Sequence, residues 1–239
     1  MMSVTFAVSS FVESCKAVLL PSFFGVETPM ESSLQTIQRS LSSLILRFYG
    51  PDKSEVIPLT FLPSLPNIQE IVVDDAATAV AKSASPAHVV VLTSQALHAL
   101  IGYRIAHRLY ELQCPAVALM ISSHVQRTAH IEIHPSATIG RGVYIHNGTG
   151  LVIGAGVTVD NNAFLESGVT LVGDTPSSAP YIKTGAIVRS HSTIWGPVTV
   201  GRGSHVGGNV WVTEDVDAEA CVTQAAPVMQ VEIRPRANI

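Results

Sequence analysis

Between Ile131 and Val216 an apolar side chain returns at every sixth residue. Ile133, Ile139, Ile145 and Leu151 form one series, and Ile153, Val159, Leu165 and Leu171 a second. Ile182, Val188, Ile194, Val200, Val206 and Val212 form a third, and two short insertions separate the three. Six is neither the 3.6 of a helix nor the 2 of an ordinary strand. It is the period of a parallel β-helix, in which each hexapeptide makes one short flat side and its apolar residue stacks inward on the coils above and below. Glycine follows the apolar residue at Gly140, Gly154, Gly201 and Gly207 and recurs at Gly142, Gly156, Gly168 and Gly203. It suits corners, where the backbone needs a positive φ. A β-sandwich with glycine-rich turns competes poorly, because its strands alternate with period two.

Upstream the period becomes helical. Residues 1–20 read as a first helix ending at Pro21. Over Glu31–Phe48, Leu34, Ile37, Leu41, Leu44 and Phe48 fall on one helical face. The proline-rich stretch Pro51–Pro66 reads as a loop and Ile68–Ala84 as a third helix. Ser94–Leu112 is the clearest helix, with Ser94 as N-cap and Leu97, Leu100, Ile101, Ile105 and Leu109 on one side. Pro115 starts another that runs to about Val125. Helical spacing yields to hexads between Arg127 and Ile131. The expected organisation is α+β: a helical domain over residues 1–128, a β-helix over 129–226 and a C-terminal tail over 227–239. Val172–Tyr181 breaks the hexad period and is expected to project from a corner as a loop.

Composition narrows the classes. The chain has 239 residues, is 47% hydrophobic and carries a net charge of −4, enough for a real core and against disorder. No basic run is present, so neither nucleic acid nor an anionic membrane is expected as a partner. Cys15, Cys114 and Cys221 lie far apart, which fits a reducing cytoplasm and not a disulfide framework or zinc site. The absence of Lys and Arg before Lys16, with Glu13 in the apolar stretch, argues against a signal peptide. No apolar run looks long enough to span a membrane. Of nine histidines, His130, His134, His146, His191 and His205 lie in the hexad region without a ligand pattern, so no metal is expected. Trp195 and Trp211 read as packing residues.

Three segments carry a resemblance: His130-Ile-Glu-Ile-His-Pro-Ser-Ala-Thr-Ile-Gly-Arg-Gly, Thr149-Gly-Leu-Val-Ile-Gly and Gly168-Val-Thr-Leu. With the helix Gln95-Ala-Leu-His-Ala-Leu-Ile-Gly-Tyr-Arg-Ile-Ala-His-Arg-Leu before them, they closely resemble the bacterial serine acetyltransferase family over residues 94–216. The resemblance implies a left-handed β-helix, a homotrimer that in some members pairs into a dimer of trimers, and acetyl-CoA or another acyl-CoA as donor. It also implies a histidine base, oriented by a carboxylate, acting on the serine hydroxyl.

The family's Asp-His-Ala-Thr-Gly motif reads His146-Asn147-Gly148-Thr149-Gly150 here, so Asn147 stands at the base position, and an amide takes up no proton. His146 stands at the implied amino-group ligand, and Glu132 keeps the orienting acid. The Arg-His-Pro-Lys-Ile segment reads Ser178-Ala179-Pro180-Tyr181-Ile182, without its Arg and His. The Gly-Ala-Gly beside the CoA arm reads Arg189-Ser190-His191. The scaffold positions match while the chemical positions differ.

His146 reads either as a relocated base with Glu132 as its orienter or as a solvated corner residue. Asp174, Ser178, Ala179 and Tyr181 are the candidate substrate contacts. Arg189, His191, Gly207 and Gly208 are the candidate cofactor positions, with Arg189 and His191 either binding an anion or plugging the groove. The chain ends in Asn238-Ile239. By resemblance, that end docks into a cysteine synthase-like PLP enzyme, a form of carboxylate capture. Three functions follow as expectations: acyl transfer at a re-tooled site, a silent homologue that docks Ile239 into such an enzyme, and a different activity on the same scaffold.

Overall fold

The structure is a computed structural model that describes residues 4–20 and 30–225. Asn238 and Ile239 lie outside the described residues. Helices α1 (Val4–Leu19) and α2 (Met30–Tyr49) pack together, burying Phe11, Val12 and Cys15 of one and Ile37, Leu41 and Leu44 of the other.

The stretch Pro51–Pro66 is helical, contrary to the loop expected from its prolines. It forms α3 (Pro51–Phe61), a 3-10 turn (Leu62–Ser64) and the start of α4 (Leu65–Lys82). Pro51, Pro63 and Pro66 each stand at one of the first two positions of their element, where no N–H is required. Only Pro58 lies inside a helix, and it is buried there with Ile57 and Phe61. The run Pro51–Lys82 contains a window of mean hydropathy 1.3 and has the length and composition of a membrane span, which the sequence reading missed. Within the fold it buries Phe61, Leu65, Ile68 and Val72 against the other helices.

A short α5 (Ala87–Thr93) occupies a stretch that the sequence reading left unassigned; three successive valines favour strands, and burial of Val90 and Val91 outweighs that preference. Helix α6 (Gln95–Glu111) starts as the sequence indicates, with Ser94 Oγ accepting from the Leu97 N–H at 3.2 Å. Helix α7 (Pro115–Ala129) ends at His130, in the left-handed region at φ 55°.

The β-helix has three parallel faces. The first holds β1 (Glu132–Ile133), β4 (Val152–Ile153), β7 (Thr170–Val172), β10 (Thr193–Trp195) and β13 (Trp211–Val212). The second holds β2 (Thr138–Ile139), β5 (Thr158–Val159), β8 (Tyr181–Ile182) and β11 (Thr199–Val200). The third holds β3 (Tyr144–Ile145), β6 (Phe164–Leu165), β9 (Ile187–Val188), β12 (His205–Val206) and β14 (Cys221–Val222). The periodic residues stack in register, as Ile133 on Ile153 on Leu171 on Ile194 on Val212, and all of these are buried.

Leu151 is the exception to the sequence ladder. Ile153, not Leu151, pairs with Ile133. Leu151 occupies a second buried position two residues before each rung, shared with Ile131, Ala137, Val143, Val157 and Ala163. Trp195 and Trp211 are not core residues either. Trp195 follows the inward Ile194 and Trp211 precedes the inward Val212, so strand alternation turns both outward, and Trp211 is 69% exposed.

Helix α6 grips the first coil. Tyr103 Oη donates to the Ala137 carbonyl at 2.7 Å and accepts from the Ile139 N–H. Arg104 donates to the carbonyls of Ile139 and Gly140 and pairs with Asp75 of α4 at 3.1 Å. Asp75 accepts in addition from the Gly142 N–H. His107 Nδ1–H donates to the Pro135 carbonyl at 2.8 Å. Burial pushes the Asp75 carboxyl up against the pull of Arg104, and pushes the Tyr103 phenol up to about 12. These contacts fix helices and prism relative to one another at one end of the β-helix.

Candidate functional site

The edge where the third face turns back to the first carries His146–Gly150 in the first coil, Glu166–Gly168 in the second, Arg189–His191 in the third and Gly207–Asn209 in the fourth. Over the first of these corners, the ends of α4 and α5 and the start of α6 line a cleft of about 650 Å³. His146, Asn147, Thr149 and Ser167 line it from the prism, and Lys82, Ser83, Ser85 and Gln95 from the helices.

His146 is exposed in this cleft. Its Nδ1 lies 3.2 Å from Tyr144 Oη, and its ring stacks on Phe164 at 6.1 Å and 18°. Partial burial pushes the Tyr144 phenol up, so it stays protonated near neutral pH. Tyr144 and His146 share a face because they are two residues apart on one extended segment. That signal was available in the sequence and went unread.

Within one chain the structure does not join His146 to Glu132. Glu132 lies on the first face, where Oε2 accepts from Gln126 Nε2 at 2.7 Å; His146 follows the third-face strand β3. The tyrosine, not the carboxylate, is the partner of the imidazole. Asn147 has φ 58°, a conformation that asparagine adopts more readily than most residues. Gly148 beside it has no room for a side chain: a Cβ would stand 2.6 Å from Ile145 Cγ2.

The candidate substrate contacts lie on a different edge, between the first and second faces. The 173–180 loop does not project as expected. A capping box between Thr175 and Ser178 closes a 3-10 turn, and the loop folds back until the Pro176 carbonyl covers Gly156. Asp174 is exposed on it, and Ala179 packs against the core. Tyr181 donates to the Asp160 carboxylate at 3.0 Å and lies under Lys183 Nζ at 4.4 Å from its ring centroid. The Asp160 hydrogen bond pushes the Tyr181 phenol up.

The candidate cofactor residues divide. Arg189 pairs with Glu166 at 2.6 Å, donates to His205 Nε2 at 3.0 Å and covers the Phe164 ring, so its charge is already met. Partial burial raises the Glu166 carboxyl, but hydrogen bonds from Ser190 and Arg189 outweigh it and hold the group below the usual range. His191 lies over Gly168, where a Cβ would meet its Nδ1 at 2.2 Å. Gly207 and Gly208 leave a stretch of backbone without side chains, and Gly208 is exposed. Arg189 therefore has no free guanidinium for a phosphate. Among the described residues no group of three or more His, Cys, Asp or Glu side chains is placed to hold a metal ion.

No protein-family model matches the chain. It is similar to the serine acetyltransferase of Bacillus subtilis, 40% identical over 130 residues that make up 53% of this chain and 60% of the relative. A plasmid-borne serine acetyltransferase of Synechococcus elongatus is 35% identical over 142 residues, 53% of this chain and 44% of that one. The chain thus spans about half the length of the curated relatives it matches.

Serine acetyltransferase isoform 3 of Entamoeba histolytica, solved with cysteine, superposes with a TM-score of 0.86 at 23% identity, covering 94% of this chain and 84% of that one. A serine acetyltransferase solved with CoA gives 0.66 at 23% identity, covering 90% and 94%. The helical region followed by a left-handed parallel β-helix is the architecture they share with this chain.

Proposed function

We propose that the protein transfers an acyl group from acyl-CoA to the hydroxyl of a small serine-like substrate in cysteine-type metabolism, with His146 as base. The carrying observation is the position of His146, exposed in the cleft and braced by Tyr144 and Phe164. With Nδ1–H donated to Tyr144 Oη, Nε2 keeps its lone pair and takes the substrate hydroxyl proton as the oxygen becomes nucleophilic. Thr149 and Ser167 bring hydroxyl groups to the same floor. The acyl-CoA, when bound, supplies an activated carbonyl with a thiol leaving group, and Gly207 and Gly208 are the positions proposed to admit its arm. The similarity to serine acetyltransferases supports acyl transfer from CoA.

Two edges of the prism carry the candidate residues, which supports a homotrimer, or a dimer of trimers, in which one protomer's 173–180 loop meets its neighbour's His146 edge. A cytoplasmic location goes with this reading. The test is thiol release from acetyl-CoA with serine and its hydroxy-acid analogues as acceptors. Wild type is expected to turn over, and His146→Gln to lose about 10²–10⁴-fold in kcat. No acceptor-dependent thiol release from the wild type would overturn the proposal.

Asn147 at the family's base position favours a second reading, a silent homologue that docks Ile239 into a cysteine synthase-like PLP enzyme. Deletion of Ile239 is then expected to abolish the complex, and full-strength association of the shortened chain would exclude it.

A further inference from the structure

One chain does not complete the cleft over His146. Its described lining supplies Lys82, an imidazole, hydroxyls and two amides, but no carboxylate for the ammonium of a serine-like substrate. A second copy can supply one, and the prism shows where that copy sits. The first face lies between the two edges that carry the candidate residues, with His146 on one and the 173–180 loop on the other. That face bears both tryptophans of the chain. Trp195 is 40% exposed and Trp211 69%, on adjacent strands, and Val152 and Val172 turn outward on the strands before them. Among the strand residues of the face only Glu132, at its start, is charged. Apolar surface of this kind fits a contact between copies of the chain.

An edge that meets a different edge makes a heterologous contact, which closes into a ring. In the proposed homotrimer, three first faces then look onto the axis and the tryptophans pack around it. Rotation about an axis parallel to the prism leaves every coil at its own level. The cleft runs from the corner at His146 and Thr149 down to Ser167 in the second coil. The loop leaves β7 in the third coil but folds back until the Pro176 carbonyl lies over Gly156 in the second. Loop and cleft are therefore level. Asp174 is exposed on that loop, and no described residue of its own chain pairs with its carboxylate. Glu214 and Asp215 share the edge but follow β13, at the far end of the prism. We infer that Asp174 acts in trans: its carboxylate enters the neighbouring protomer's cleft and holds the substrate ammonium, while Trp195 and Trp211 anchor the contact. This rests on the proposed trimer and its serine-like acceptor, but the contact is measured without turnover.

The measurement is NMR of the His146 ring resonances in mixed assemblies of the full chain, titrated with L-serine. Chains carrying Asp174→Asn are isotope-labelled and reassembled with an excess of unlabelled wild type. Labelled wild type in the same excess is the control. The labelled Asp174→Asn chains are expected to respond as the control does, because their neighbours supply the carboxylate. Asp174→Asn chains assembled alone are expected to bind L-serine about ten-fold more weakly, and Asp174→Glu to recover most of that loss. The double variant Trp195→Glu, Trp211→Glu is expected to sediment as a monomer with its far-UV circular dichroism kept, and to lose L-serine affinity as Asp174→Asn does. Trp211→Glu alone, at an exposed position on the last strand of the face, serves where the double variant does not fold.

Labelled Asp174→Asn chains that stay silent among wild-type neighbours, a control that does not respond to L-serine, or a monomeric wild type would each overturn the inference. Trimers that survive the tryptophan substitutions would do the same for the anchoring. L-Serine binding that needs the neighbour's Asp174, without thiol release from acetyl-CoA, would uphold the contact and sink the acyl-transfer reading. Acyl transfer to serine that is indifferent to Asp174→Asn would do the reverse.

Discussion

A shift of one residue separates His146 from the base position that the resemblance to serine acetyltransferases implies, and in a strand-like segment one residue reverses the side chain. At this corner the reversal is softened, because Asn147 already has a left-handed φ. His146 continues the outward row of Tyr144, which gives it a phenol as partner. Tyr144→Phe removes that hydrogen bond and keeps the ring on Phe164. The expected outcome is a fall in kcat of about ten-fold with KM little changed, with a displaced acid limb in the pH–rate profile. Unchanged kinetics would show that the tyrosine only packs.

Asp75 is the other residue of consequence, since it ties α4 to both α6 and the first coil. Asp75→Ala leaves Arg104 charged and buried without its counter-ion, which is expected to cost about 3–5 kcal/mol in urea unfolding. The role of Asp75 was not legible in the sequence. Asp75 sits in an unremarkable helix, and its partner lies on another helix, with no local pattern to connect them.

Among the elements, the hexads were the most readable, because one inward residue per six is a long-range repeat that no helix or hairpin imitates. The slip at Leu151 has a physical source: rungs have two inward positions, and a two-residue insertion made the wrong one look periodic. The Pro51–Pro66 helices were misread because proline was taken as a breaker without asking whether it stood in a first turn. The folded-back 173–180 loop was invisible for a different reason. It rests on Gly156, at φ 75°, where a Cβ would stand 2.0 Å from the Pro176 carbonyl oxygen. Gly156→Ala is expected to lift the loop, seen as faster proteolysis within residues 173–180 and a lower Tm.

At the scale of the whole molecule, three histidines couple stability to pH. Burial holds the imidazoles of His98, His124 and His134 below the usual range; Lys16 adds to this at His98 and His124, while Glu13 opposes it. A depressed folded value means that the unfolded chain binds more protons just below about pH 6.5. Stability is therefore full above that pH and falls as pH drops through the folded values. A Tm that declines between about pH 7 and 5 is expected, with a shallower decline in His98→Gln. A Tm that rises over that range would contradict the assignment.

The scaffold was legible in the chain because a stacked core repeats; the cleft was not, because its walls come from α4, α5 and α6 as well as the prism. The central claim is that the acid–base chemistry has moved from the Asn147 position to His146. A single-turnover acyl-transfer assay on His146→Gln and Asn147→Ala, side by side, tests it most directly. The account predicts a loss of about 10²–10⁴-fold for the first and less than about three-fold for the second. Full activity in His146→Gln, or a collapse confined to Asn147→Ala, would contradict it.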